Sequence, residues 1–121
     1  METNNTETNV TLTRTGKPPL RFISVARWEA DNEIQHGNRA NRWTCVRLYR
    51  TRGGRVVVRI SNYTCWQGES DHHRAESFAT AKEVIDWLNR DDGLSSVAQE
   101  ALEAASKDDP EFASAYGEDI P

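Results

Sequence analysis

The 121-residue sequence is short of the features that most often announce a function. No apolar run approaches the roughly 20 residues that cross a bilayer. The opening METNNTETNV carries neither the basic nor the apolar segment of a secretory leader. A soluble, unexported, cytoplasmic chain with no membrane contact is therefore expected. Cysteine is reduced to Cys45 and Cys65, which in that compartment are expected as free thiols rather than as a framework of staples. Hydrophobic residues make up only 36% of the chain, enough for one small domain but not for a deep pocket as well. There is no CxxC or HxxxH spacing to hold a metal ion. Nor does any GxGxxG or GxxxxGK run lead from a strand into a helix to cradle phosphates. No metal and no cofactor is expected.

Lysine is scarce, and acid is missing from the middle. Twelve of the 15 basic residues are arginine, with only Lys17, Lys82 and Lys107 as lysines. From Ile34 to Gly68 there is no Asp or Glu at all, while Arg39, Arg42, Arg47, Arg50, Arg52, Arg55 and Arg59 fall there. The net charge of −4 hides a dipole: the chain up to Ile60 carries +6 and the remainder −10. Arginine is the cation whose planar fork grips carboxylate or phosphate and whose flat group stacks on rings. The bias therefore points to recognition of an anion.

Residues 1–19 are rich in Thr and Asn, end in Gly16-Lys17-Pro18-Pro19, and read as a flexible arm. Leu20 to Trp28 is β-branched and aromatic and reads as a first strand, followed by a long polar loop from Glu29 to Asn41. Trp43–Thr51 and Arg55–Thr64 form two strands around Gly53-Gly54, the strongest hairpin signal in the chain. A two-residue Gly-Gly loop would set Leu48 against Arg59 and mix apolar and charged residues on both faces. A three-residue loop, Arg52-Gly53-Gly54, sorts them. One face then carries Val46, Leu48, Val56, Val58 and Ile60. The other carries Trp43, Cys45, Arg47, Tyr49, Arg55, Val57, Arg59 and Tyr63, with Arg47 across from Arg59 and Cys45 across from Ser61. After a turn at Trp66-Gln67-Gly68, His72–Phe78 reads as a fourth strand. Thr80 with Glu83 forms a capping box opening a helix over Ala81–Arg90, and Ser96 with Gln99 starts another over Val97–Lys107. Asp109-Pro110-Glu111 can open a last short turn before Phe112 and Tyr116.

The expected architecture is α+β: a four-stranded antiparallel meander followed by two C-terminal helices packed on one sheet face. It comprises a flexible arm at 1–19, a single domain at 20–107 and an acidic C-terminal tail at 108–121. The expected function is that of a small binding protein rather than an enzyme. It would act through the Arg/aromatic face, on another protein or on a second copy of itself. Binding residues are placed at Trp43, Arg47, Tyr49, Arg55, Arg59 and Tyr63, joined by Arg39 and Arg42 from the loop before the second strand. Rings that stack bases and guanidiniums that neutralise phosphates also suit single-stranded nucleic acid, the alternative partner. The acidic half of the chain, through Glu76, Glu83, Asp86, Glu100 and Glu103, could instead fold back and neutralise the arginines. The run from Cys65 to His73 collects the residue types of an enzyme site, with Cys65, Asp71 and His72 as nucleophile, orienter and base. The adjacent His72 and His73 point to opposite faces of a strand and do not share a metal ion.

The strand order with a following helix, and Arg and aromatic residues on one face, is similar to the unit of Pur-type and whirly-type single-strand binding proteins, over residues 20–90. That resemblance implies an exposed sheet face that binds single strands. The sequence pI near 5.4 departs from the basic balance of such binders.

Overall fold

The structure, a computed structural model, describes residues 7–32, 42–90 and 93–121. The fold is α+β, with an antiparallel sheet ordered β1-β2-β3-β4-β5, so the meander has five strands rather than four. The strands are β1 (Thr8–Arg14), β2 (Lys17–Asp31), β3 (Arg42–Thr51), β4 (Val56–Thr64) and β5 (His72–Phe78). Among the described residues three helices follow: α1 (Ala81–Leu88), α2 (Ser96–Asp108) and α3 (Pro110–Ala115).

The extra strand lies in the stretch expected to be a flexible arm. Gly16, at φ +79°, makes the tight turn that folds β1 back onto β2. Val10 and Leu12 then pair with Phe22 and Leu20. The two prolines that suggested a linker, Pro18 and Pro19, sit in the part of β2 that precedes its pairing with β3, where a missing N–H is tolerated. β2 also runs three residues past Trp28, so Glu29, Ala30 and Asp31 belong to a strand rather than to the loop. Asn32 follows the strand, and the rest of that loop, 33–41 with Arg39, lies outside the described residues.

The β3–β4 hairpin takes the register argued from its side-chain pattern. Thr51 N–H donates to Arg55 O at 2.9 Å, closing a three-residue loop in which Gly54 has φ +87°. Arg47 stands opposite Arg59 and Cys45 opposite Ser61. Val46, Leu48, Val56 and Val58 accordingly face the helices, where they join Val84, Val97, Ala101, Leu102 and Phe112 in the main core. Each fully buried aliphatic side chain there contributes about 1.5–3 kcal/mol.

α1 opens with the expected capping box, Thr80 Oγ1 accepting from the Glu83 amide while the Glu83 carboxylate accepts from Thr80 N–H. α2 is capped by Ser95, whose hydroxyl accepts from Ala98 N–H, one residue earlier than the expected cap at Ser96. The expected acidic tail holds a third helix. Asp109 caps α3, and Phe112 is completely buried, edge-on to Trp28 with ring centroids 5.7 Å apart.

β1 also reaches β5 and curls the sheet. Thr15 N–H donates to His73 O and His73 N–H to Thr15 Oγ1, both at 2.9 Å. A second, smaller core fills part of the concave side, formed by Leu12, Tyr49, Val57 and Ala75 with Val10, Leu20 and Phe22 against them. The apolar alternation of β1 thus has a core of its own to bury, separate from the helices.

Candidate functional site on the concave sheet face

The Arg/aromatic face is the concave side of this curled sheet, and the helices pack on the opposite side. Along it the expected site residues divide into three groups. At the centre, Arg47 and Arg59 line a cavity of about 610 Å³ together with Arg27, Tyr49, Asn9 and Thr11. At one end, Arg42, Trp43 and Tyr63 line a second cavity of about 550 Å³ with Glu69 and His72. Toward the other end Arg55 donates from Nε to Ser77 Oγ at 2.8 Å, beside an apolar cleft with Leu20, Phe22 and Val57. Tyr49 is buried, edge-on to Phe22, so its ring belongs largely to the small core.

The central arginines are answered sideways. Arg47 Nε donates to Glu29 Oε1 at 3.0 Å, a carboxylate placed by the unexpected extension of β2. Arg59 Nη2 lies 3.1 Å from His73 Nδ1, and Ser61 Oγ lies 2.8 Å from the same nitrogen. A guanidinium only donates, so Nδ1 carries the lone pair and the His73 ring is neutral, with its proton on Nε2. Burial, and then the neighbouring Arg59 charge, hold the His73 pKa below its ordinary value, in keeping with that tautomer. Arg59 Nε is buried and has no acceptor among the described residues. An unmet donor of that kind costs about 1–3 kcal/mol. Arg27, opposite Tyr49 in register, is exposed and has no ion pair among the described residues.

The acidic half neutralises other arginines, not these. Arg50, on the helix side, holds Asp109 at 2.9 Å and Glu111 at 2.8 Å and so ties α3 to β3. Arg42 makes a bidentate pair with Glu69, whose carboxyl is held down to about 2, first by the Arg42 hydrogen bonds and then by the Thr64 hydroxyl. Arg42 also lies over the half-exposed Trp66 ring, and Trp43 stacks on Tyr63 with centroids 5.5 Å apart.

Among the described residues no hydrogen bond joins Cys65, Asp71 and His72: Asp71 Oδ1 accepts from Thr64 N–H, Cys65 is exposed, and His72 lines the cavity beside Trp43 and Tyr63. One cluster escaped the sequence reading: Glu29, Asp31 and Cys45 bring their ligand-type atoms within 4.8 Å of one another. Only the true length of β2 reveals it, because Glu29 and Asp31 then share a face and Asp31 pairs with Cys45. Burial and then Glu29 push the Cys45 thiol up, so it stays protonated, and Arg47 already supplies the counter-charge to Glu29. Arg27 and His73 were likewise missed: both lie in expected strands, but the sequence sets no register for those strands against β3 and β4, and only that register brings them beside Tyr49 and Ser61.

Compared with known proteins, the chain matches no family model, no curated protein and no solved structure. The likeness to Pur-type and whirly-type units therefore gains no support from the comparisons.

Proposed function

We propose that the chain is a small binding protein without catalysis of its own, which receives an anionic group of a protein partner on its concave sheet face. The observation that carries this reading is the central cavity, where Arg27, Arg47 and Arg59 converge and Arg59 is kept despite a buried donor with no acceptor. A group that costs stability where it stands is explained by binding more readily than by folding.

Charge decides between partners. Across the centre of the face Glu29 pairs with Arg47, while Arg59 meets a neutral imidazole and Arg27 has no ion pair among the described residues. Two such cations suit one or two carboxylates of a protein, a second copy of this chain included. They are few for a polynucleotide, which draws its affinity from several neutralised phosphates. The Trp43–Tyr63 stack favours single-stranded nucleic acid as the second reading, since bases stack on such rings.

Nuclear magnetic resonance of the arginine Nε–H groups and of the Trp43 and Tyr63 rings tests both. Titration with hexaglutamate is expected to shift Arg27, Arg47 and Arg59, whereas shifts confined to Trp43 and Tyr63 on adding oligothymidylate would favour the second reading. If neither probe moves any of these five residues, the face is not a binding site.

A further inference from the structure

A separate basic groove lies on the seam where the β1–β2 turn meets β5, outside the concave face. Its volume is about 340 Å³, and its walls include Arg14, Lys17, Arg74, Arg90, Trp87 and Glu76. Glu76 is the single carboxylate among its lining residues and it is shared, 3.7 Å from Arg14 and 3.0 Å from Lys17. Arg74 and Arg90 have no carboxylate within 4 Å among the described residues. Both lie against one ring instead, their guanidinium carbons 5.1 and 5.7 Å from the Trp87 centroid. Counted over its lining residues, four cations against one carboxylate, the groove keeps three positive charges unbalanced.

The cations are positioned rather than loose. Arg14 is mostly buried, with 14% of its side chain exposed, and donates to Pro18 O at 2.8 Å and Ala75 O at 3.3 Å. Trp87, on the last turn of α1, orients Arg74 of β5 and Arg90 just beyond the helix. Holding two guanidiniums against one ring brings like charges together, which an anion in the groove would relieve. A single carboxylate is already present and leaves most of the charge unmet. The chemistry that fits is a phosphate group, whose several oxygens accept from arginine forks and a lysine together.

We propose that this seam groove binds the phosphate of a phosphate ester, through Arg74 and Arg90 with Arg14 and Lys17 behind them. Trp87, the large ring of the groove, is taken up by its two arginines and is not offered to a base. Recognition is therefore of the phosphate and indifferent to base identity. The ester is either a phosphorylated small molecule or the backbone of a single strand.

The test is titration of the full chain at about 50 mM salt with inorganic phosphate, thymidine 5′-monophosphate and an oligothymidylate, with hexaglutamate as the carboxylate control. Binding of a phosphate probe is expected, weakened at least about tenfold in Arg74→Gln/Arg90→Gln and largely kept in Arg74→Lys/Arg90→Lys. Arg59→Gln is expected to leave it unchanged, which separates this site from the concave face. Oligothymidylate binding whose salt slope falls by about 0.7 per arginine removed identifies a polynucleotide backbone, and equal affinity for mononucleotide and oligomer identifies a single phosphate. Thermal melting of each variant shows that loss of binding is not loss of fold. Failure of every phosphate probe to bind, undiminished binding by the folded double Gln variant, or equally tight hexaglutamate at the groove overturns the proposal.

Discussion

Arg47 and Arg59 are register partners across β3 and β4, yet each turns to a different neighbour, Arg47 to Glu29 on β2 and Arg59 to His73 on β5. Like charges set opposite each other weaken a sheet. Here the repulsion is relieved by partners on the flanking strands, one a carboxylate and the other only a neutral imidazole.

The difference between those partners has a pH signature. His73 is held neutral by burial and by Arg59, so its folded pKa lies below the unfolded value near 6.5. A lowered histidine stabilises the fold fully above the unfolded value, and that contribution is lost as the pH falls through the folded one. Melting temperature is expected to drop from pH 7 toward pH 5, and less so in His73→Gln. Parallel pH profiles for the two proteins would contradict the assignment.

At the other end of the face, Glu69 titrates unusually low because Arg42 and the Thr64 hydroxyl hold its charged form. The Arg42 pair is expected to persist as the pH falls through the ordinary carboxylate range and to break only toward about 2. Carboxyl carbon shifts of Glu69 measure this directly, and Arg42→Gln should move the midpoint upward. A Glu69 midpoint near the ordinary glutamate value in the unaltered chain would count against the bidentate pair.

The C-terminal segment is part of the fold. Phe112 is buried against Trp28 and beneath Arg50, so Phe112→Ala is expected to cost about 3–5 kcal/mol in chemical denaturation. By comparison, Thr80→Ala removes one cap bond and should cost about 1 kcal/mol. A Phe112→Ala loss no larger than that of Thr80→Ala would return the segment to the status of a tail.

These features were unequally legible in the amino-acid sequence. The β3–β4 register could be reasoned out because only one loop length separates Val46, Leu48, Val56 and Val58 from the arginines, and the helix-facing core requires that separation. β1 was hidden because its apolar set is just Val10 and Leu12, too few to signal a strand until Tyr49, Val57 and Ala75 are seen to form a second core for them. Phe112 was hidden in a stretch dominated by acid, where the ion pairs of Asp109 and Glu111 with Arg50 supply the anchoring that composition does not show. The site itself was half visible. Arg47, Arg59, Trp43 and Tyr63 do share the concave face, but their division into separate cavities follows from curvature, which side-chain alternation does not encode.

The central claim is that Arg59 is kept for a partner at the expense of the fold, and Arg59→Met tests it most directly. The substitution removes a buried donor without an acceptor and a like charge facing Arg47, at the loss of one bond to His73. Denaturation of Arg59→Met, read beside hexaglutamate titration of the same protein, is expected to show stability unchanged or raised by up to about 2 kcal/mol, with binding at the central cavity lost. A loss of stability beyond about 2 kcal/mol, or hexaglutamate binding equal to that of the unaltered chain, would contradict the account.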